Sequence, residues 1–281
     1  MRVTACLLAL AGMAFASPDA VNRAQELYQH TEYQNSLKVL VHDPAPDVAT
    51  YLLTGKNYFM MADYKKATEF FEKCVELAPN SSEAHLWLGR AWGRRAENST
   101  LLAIGYAKKA HQAFEKAVAL DPHNGEAKND LFDYYLNAPG FLGGGIEKAE
   151  ALSRAIAGER PVEHEFEEAQ IAEKRNDLTK AEAHFRKAME LAPHDAGRIM
   201  DLARFLAKHG RFTESDELFE RAHKAQPNKP DVNFAEAKVA IDNHRNLDRA
   251  RNLLRTYLQS QLTPDDPPRH EAEQLLKRAG G

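Results

Sequence analysis

Beyond the first sixteen residues, apolar side chains recur at three- and four-residue spacing in short blocks, each closed by proline or by a small polar cluster. Phe70, Phe71, Cys74 and Leu77 form one such block and put a single apolar stripe on a helix. Such stripes recur along the rest of the chain, so the pattern predicts helices. The blocks also repeat. Between Val48 and Ser81, Tyr51, Gly55, Tyr58, Ala67, Phe71, Cys74 and Pro79 stand at positions 4, 8, 11, 20, 24, 27 and 32 of a unit of about 34 residues. The next unit supplies Leu88, Gly89, Trp92, Ala110, Phe114, Ala117 and Pro122. Later units keep their second halves best: Ala149, Ile156 and Pro161; Ala181, Phe185, Ala188 and Pro193; Phe212, Phe219, Ala222 and Pro227. Weaker copies flank these around Leu27 to Leu40 and around Phe234 to Leu254.

This spacing resembles the tetratricopeptide repeat (TPR), over residues 17–263. The resemblance implies an all-α solenoid, a right-handed superhelix of antiparallel helix pairs. About seven pairs are expected, over 17–47, 48–81, 82–124, 125–161, 162–195, 196–229 and 230–263, with a capping helix in 264–281. Physical reasons support the match. Gly55 and Gly89 fall inside helices, where glycine costs about 1 kcal/mol against alanine, so close approach of a partner helix is expected there. Pro79, Pro122, Pro193 and Pro227 stop one helix before the next, and Ser81 or Ser82 and Asp195 are placed to cap the followers. One pair cannot bury its own apolar face, so neighbours must stack and a polar terminal element must close the array. Pro264-Asp265-Asp266-Pro267-Pro268 breaks the last pair, and Arg269 to Ala279 reads as the solvating helix, with Ala272, Leu275 and Leu276 inward.

The proline steps of 43, 39, 32 and 34 from Pro79 onward mark two enlarged copies. In the first, extra helical turns are expected around Glu97 to Ile104, projecting a hairpin tip. In the second, Phe141, Leu142, Gly143, Gly144 and Gly145 form a turn that either tucks its apolar residues against neighbouring helices or serves as a lid over a ligand. It lacks the preceding strand and the following lysine and hydroxyl of a phosphate loop.

The N-terminus changes the picture of location. Arg2, the uncharged run Val3 to Ala16 and the small-x-small Ala14-Phe15-Ala16 have the order of an export signal, with cleavage expected after Ala16 and a periplasmic or secreted mature chain. The apolar run is shorter than the roughly 20 residues that span a bilayer, so no stable membrane insertion is expected after processing. Processing takes the basic count from 37 to 36 against 41 acidic residues and the charge from −4 to −5, which argues against nucleic acid as a partner.

Candidate chemistry is sparse. The 12 histidines form no His-Glu-x-x-His, and the 2 cysteines no Cys-x-x-Cys. The acidic run Glu163 to Glu168 around His164 reads as a solvated first helical turn, and Cys74 as a small buried hydrophobe. No catalytic residue, metal or cofactor is expected. In TPR proteins the partner lies on the concave face. Carried over by position, that face comprises Leu52, Lys56, Phe59 and Met60, then Leu86, Arg90 and Arg94, then Asn129, Asp133 and Asn137. Phe166, Gln170, Glu173 and Lys174 follow, then Met200, Arg204 and Lys208. It reads basic and apolar, then acidic, then basic again. The family's clamp for a peptide carboxylate is not carried over, since only Lys56, Arg90 and Asn129 approximate its residues. The resemblance implies a non-catalytic scaffold that binds another protein or a peptide in the bacterial envelope. The alternatives are a ligand-binding accessory of an exported enzyme or transport system, with the glycine loop as lid, and a soluble outer-membrane assembly component.

Overall fold

The computed structural model describes residues 18–42 and 46–280. The export signal and its cleavage site lie outside the described residues. Those residues form fifteen α-helices and no strand: α1 (Pro18–Gln29), α2 (Tyr33–Leu40), α3 (Val48–Met60), α4 (Tyr64–Leu77), α5 (Ser82–Glu97), α6 (Ala103–Leu120), α7 (Gly125–Asn137), α8 (Ile146–Ile156), α9 (Pro161–Lys174), α10 (Leu178–Leu191), α11 (Ala196–Lys208), α12 (Phe212–Ala225), α13 (Pro230–Asp242), α14 (Leu247–Gln259) and α15 (Arg269–Arg278). Each odd-numbered helix from α1 to α13 packs on the helix that follows it, and each pair packs on the next.

Helix starts are fixed by short polar side chains accepting from free backbone N–H groups. Ser81 accepts from Ala84 N at 3.2 Å and Asp195 from Gly197 N at 2.8 Å, as the sequence predicts. Asp47, Asp63, Asn124 and Asp177 cap α3, α4, α7 and α10 in the same way. Within five pairs a left-handed residue stands at the same place, two residues past the first helix: Thr31, Ala62, Asn176, Gly210 and His244, the last followed by a second at Asn246. Only one of the five is glycine.

The core runs along the solenoid in successive clusters and not as one central mass. The helix glycines serve close approach. A Cβ on Gly55 would lie 2.5 Å from the Phe71 ring, and one on Gly89 2.6 Å from the Phe114 ring. Cys74 is fully buried, its thiol 3.7 Å from Val48 O, and burial pushes it up to about 12. Ala272 and Leu275 of α15 are buried against α13 and α14, and Leu276 packs beside them.

The two enlarged copies differ from the rest. Helices α5 and α6 have 16 and 18 residues, and their connecting tip leaves Leu101, Leu102 and Ile104 exposed. Between α7 and α8 a single 3-10 turn, Gly140–Leu142, precedes Gly143 and Gly145 at φ +93° and +151°. A Cβ on Gly143 would meet the His111 ring at 2.3 Å, and one on Gly144 would meet Ala138 O at 1.8 Å. Both positions therefore require glycine. Phe141 is exposed and not tucked against the helices, because the 3-10 turn carries it outward.

The solenoid winds far enough for its C-terminal segment to reach the second and third helix pairs. Arg94 of α5 pairs with Glu271 of α15 at 2.7 Å, and a 390 Å³ cleft lies between Ala62, Tyr64 and Asn98 on one side and Phe234, His270 and Gln274 on the other. Burial, reinforced by Tyr33 and then Asp265, holds the Tyr28 hydroxyl far above its ordinary range. Burial likewise pushes Tyr33 up to about 12, with Asp266 adding to it.

Candidate functional site

The inner ends of α3, α5 and α7 and the C-terminal segment line an open chamber of about 810 Å³. Phe59, Met60, Tyr64, Trp87, Phe114 and Tyr134 give it apolar and aromatic walls, Pro139 and Leu142 close one side, and Pro264 to Pro268 form a strap across it. A second chamber of about 490 Å³ continues between α7, α9 and α11, lined by Phe166, Gln170, Glu173, Lys174, Arg204 and Lys208 together with Leu136, Phe185, Asp201 and Phe205. Asn137 belongs to both, so the two spaces are consecutive stretches of one concave face.

Most of the positions carried over from the repeat pattern fall here. Phe59, Met60, Arg90, Arg94, Asp133 and Asn137 line the first chamber; Asn137, Phe166, Gln170, Glu173, Lys174, Arg204 and Lys208 line the second. Others do not. Leu86 is 2% exposed and belongs to the core, because α5 is rotated so that Trp87 takes the chamber wall. Met200 is likewise buried in the core. Leu52 packs against Phe71 and its neighbours, Lys56 is bound to Glu83 at 2.6 Å, and Asn129 accepts from Arg160 at 2.9 Å; none of the three lines either chamber. Of the glycine loop, Leu142 reaches the wall, whereas Phe141, Gly143, Gly144 and Gly145 do not. Three hydrogen bonds of 2.8 Å hold the loop in place: Tyr134 Oη to Leu142 O, Lys148 Nζ to Gly143 O, and Gly145 N to Tyr135 O.

The charge pattern also changes once partners are counted. Arg90 bonds Asp130 at 2.5 Å and Glu126 at 2.9 Å; Arg94 bonds Glu97 at 3.1 Å as well as Glu271. With Lys56 held by Glu83, the stretch read as basic is internally neutralised. Its cations also lie over its rings: Arg90 and Lys56 at 4.8 and 5.1 Å from the Trp87 centroid, and Arg94 at 5.5 Å from that of Tyr64. Asp133 has no ion-pair partner among the described residues. Although water reaches it through the chamber, the surrounding protein, and then Asp130 and Glu163, push it up to about 6.

The acidic first turn of α9 is not wholly solvated. Glu167 is 1% exposed and neither carboxyl oxygen has a hydrogen-bond partner; Ser153, whose hydroxyl could serve it, is bonded to His164 Nδ1 at 2.9 Å. Burial pushes Glu167 up to about 8. No group of three or more potential metal ligands occurs among the described residues, and no described helix is long and apolar enough to cross a membrane.

Sequence reasoning missed Tyr64, Trp87, Asp130, Tyr134 and the strap. The strap carried a usable signal, two aspartates among three prolines, but its place in the chamber depends on the winding of the whole array.

Residues 48–81 and 166–195 match the family profile described as tetratricopeptide repeat. Comparison of the sequence with curated proteins returns no match. Among solved structures, a tetratricopeptide repeat protein from Parabacteroides merdae is similar at TM-score 0.60 and 13% identity, over 94% of this chain and 98% of that one. A thermophilic TPR protein from Thermus thermophilus gives 0.54 and 20%, over 67% and 97%. A chain of the APC/C hetero-tetramer Cut9–Hcn1 gives 0.51 and 18%, over 95% of this chain and 50% of that one. At these identities the likeness is one of fold.

Proposed function

The chain is a tetratricopeptide repeat protein, and from that premise we propose that it is a non-catalytic scaffold whose concave face binds a segment of another protein. The observation that carries this reading is the pair of chambers sharing Asn137, which together offer a continuous concave surface with aromatic anchors and polar groups between them. Aromatic and methionine side chains supply contact area at low entropic cost, and charges between them set register. The Cut9–Hcn1 assembly offers a parallel for a fold of this kind in a protein complex.

The order of charge, apolar run and small residues in 1–16 supports an encounter in the bacterial envelope. N-terminal sequencing of protein released by osmotic shock tests this, with Ser17 expected as the first residue and an intact Met1 counting against it. For binding, a photo-crosslinking residue at Asn137 is compared with one at Lys187, which is exposed and lines neither chamber. A specific protein captured from Asn137 alone, identified and shown to bind the purified chain, is expected. Equal capture from both positions, or from Lys187 alone, contradicts the reading.

A further inference from the structure

The first chamber is lined by two guanidinium groups and six carboxylates. Both guanidiniums are already matched, Arg90 by Asp130 and Glu126, Arg94 by Glu97 and Glu271. Asp133, Asp265 and Asp266 make no ion pair among the described residues; Asp266 accepts only from Thr263 N and Oγ1, at 2.8 and 3.0 Å. An acidic partner would have to break an existing pair to find a cation, whereas a basic one meets carboxylates that have none. The walls suit an apolar body beside that charge, and cations already rest on two of their rings, Trp87 and Tyr64. The volume lies within the roughly 300–1,000 Å³ of ordinary ligand sites, so a few residues of a chain fit and a folded domain does not.

We propose that the occupant of this chamber is a basic peptide segment, an arginine or lysine flanked by apolar side chains, its charge answered by Asp133 and by Asp265 and Asp266 of the strap. This rests on the groove-binding reading and specifies the chemistry of the partner. The strap is then part of the site: the chain's C-terminal segment supplies two of the three carboxylates, and the N-terminal repeats supply the rings. Charge pairing discriminates between opposite signs, because a like charge placed in the same pocket is repelled as well as unpaired.

The test uses the intact protein and two labelled synthetic peptides, one alternating leucine with arginine and one alternating leucine with glutamate, followed by fluorescence anisotropy. The arginine peptide is expected to bind, with affinity falling as salt is raised, and the glutamate peptide to bind at least about tenfold more weakly. At about pH 8, where Asp133 is ionised, Asp133→Asn and, separately, Asp265→Asn are each expected to weaken the arginine peptide about fivefold or more without lowering the melting temperature, since neither side chain holds an internal ion pair. Equal or tighter binding of the glutamate peptide overturns the proposal, as does arginine-peptide binding indifferent to both substitutions, or no binding of either peptide. The crosslinking comparison at Asn137 is judged independently, so a failure here with capture there removes the basic-peptide assignment and leaves the groove reading standing.

Discussion

Arg94 and Glu271, 177 positions apart in the chain, meet at 2.7 Å and join the third helix pair to the capping helix. The contact lies beside the stretch of the concave face that the chain's own C-terminal segment lines. Both side chains are about a third exposed, at 37% and 32%, so the pair is worth no more than about 1 kcal/mol. Glu271→Gln is therefore expected to leave global stability nearly unchanged while loosening α15 from α5. Spin labels on Asn98→Cys and Gln274→Cys, on opposite sides of the cleft, report this: the distance distribution should broaden in the variant. Cys74 is buried and does not compete for the label, and Cys6 is replaced by serine. An unchanged distribution would mean that packing alone holds the cap.

Two glycines of α5 should respond to alanine with opposite signs. At Gly89 the new methyl meets the Phe114 ring at 2.6 Å, and overpacking costs about 1–3 kcal/mol. At Gly93 nothing lies within 4 Å, so the helix-propensity gain of about 1 kcal/mol stands alone. Thermal melts of Gly89→Ala and Gly93→Ala should move down and up respectively.

Ala62 occupies the left-handed position of its turn at φ +62°, where Gly210 serves in a later copy. A non-glycine residue there costs about 1–2 kcal/mol, part of which glycine's extra unfolded-state freedom offsets. Ala62→Gly is expected to raise stability by about 0.5–1 kcal/mol in urea titration.

Glu167 gives the fold a pH dependence. Its carboxyl titrates near 8 in the folded chain against 4.5 ordinarily, so between those values the folded state holds a proton that the unfolded state has lost. Stability from this group is present below about pH 4.5 and falls as pH rises toward 8, by up to an amount on the order of 5 kcal/mol. Glu167→Gln removes the dependence. Relative to the wild type its melting temperature should be raised at about pH 8.5 and little changed at about pH 4.5; parallel curves across that range would contradict the assignment.

How much of this was legible in the sequence depends on the range of the interactions. Gly55 and Gly89 announced their helix contacts because a glycine inside an amphipathic helix has few other reasons to be there. Ser81 and Asp195 announced helix starts through purely local chemistry. The seat of Trp87 was not legible, because helix positions adjacent in sequence, Leu86 and Trp87, exchange core and groove with a modest rotation of α5. Nor was the neutralisation of Arg90 and Arg94, whose partners lie on α7 and α15 as well as nearby on α5. Glu167 read as solvated from its acidic neighbours and is buried because α8 packs over it. The strap depended on the curvature summed over all the pairs, which no single repeat encodes.

The central claim is that the concave chambers are where the partner sits. Amide hydrogen exchange of the full protein, with and without the protein captured at Asn137, tests it most directly. The account predicts slowed exchange concentrated in α3, α5, α7, α9 and α11 and at the Asp265 and Asp266 amides of the strap. Protection confined to α4, α6, α10 and α12, with those segments unchanged, would contradict it.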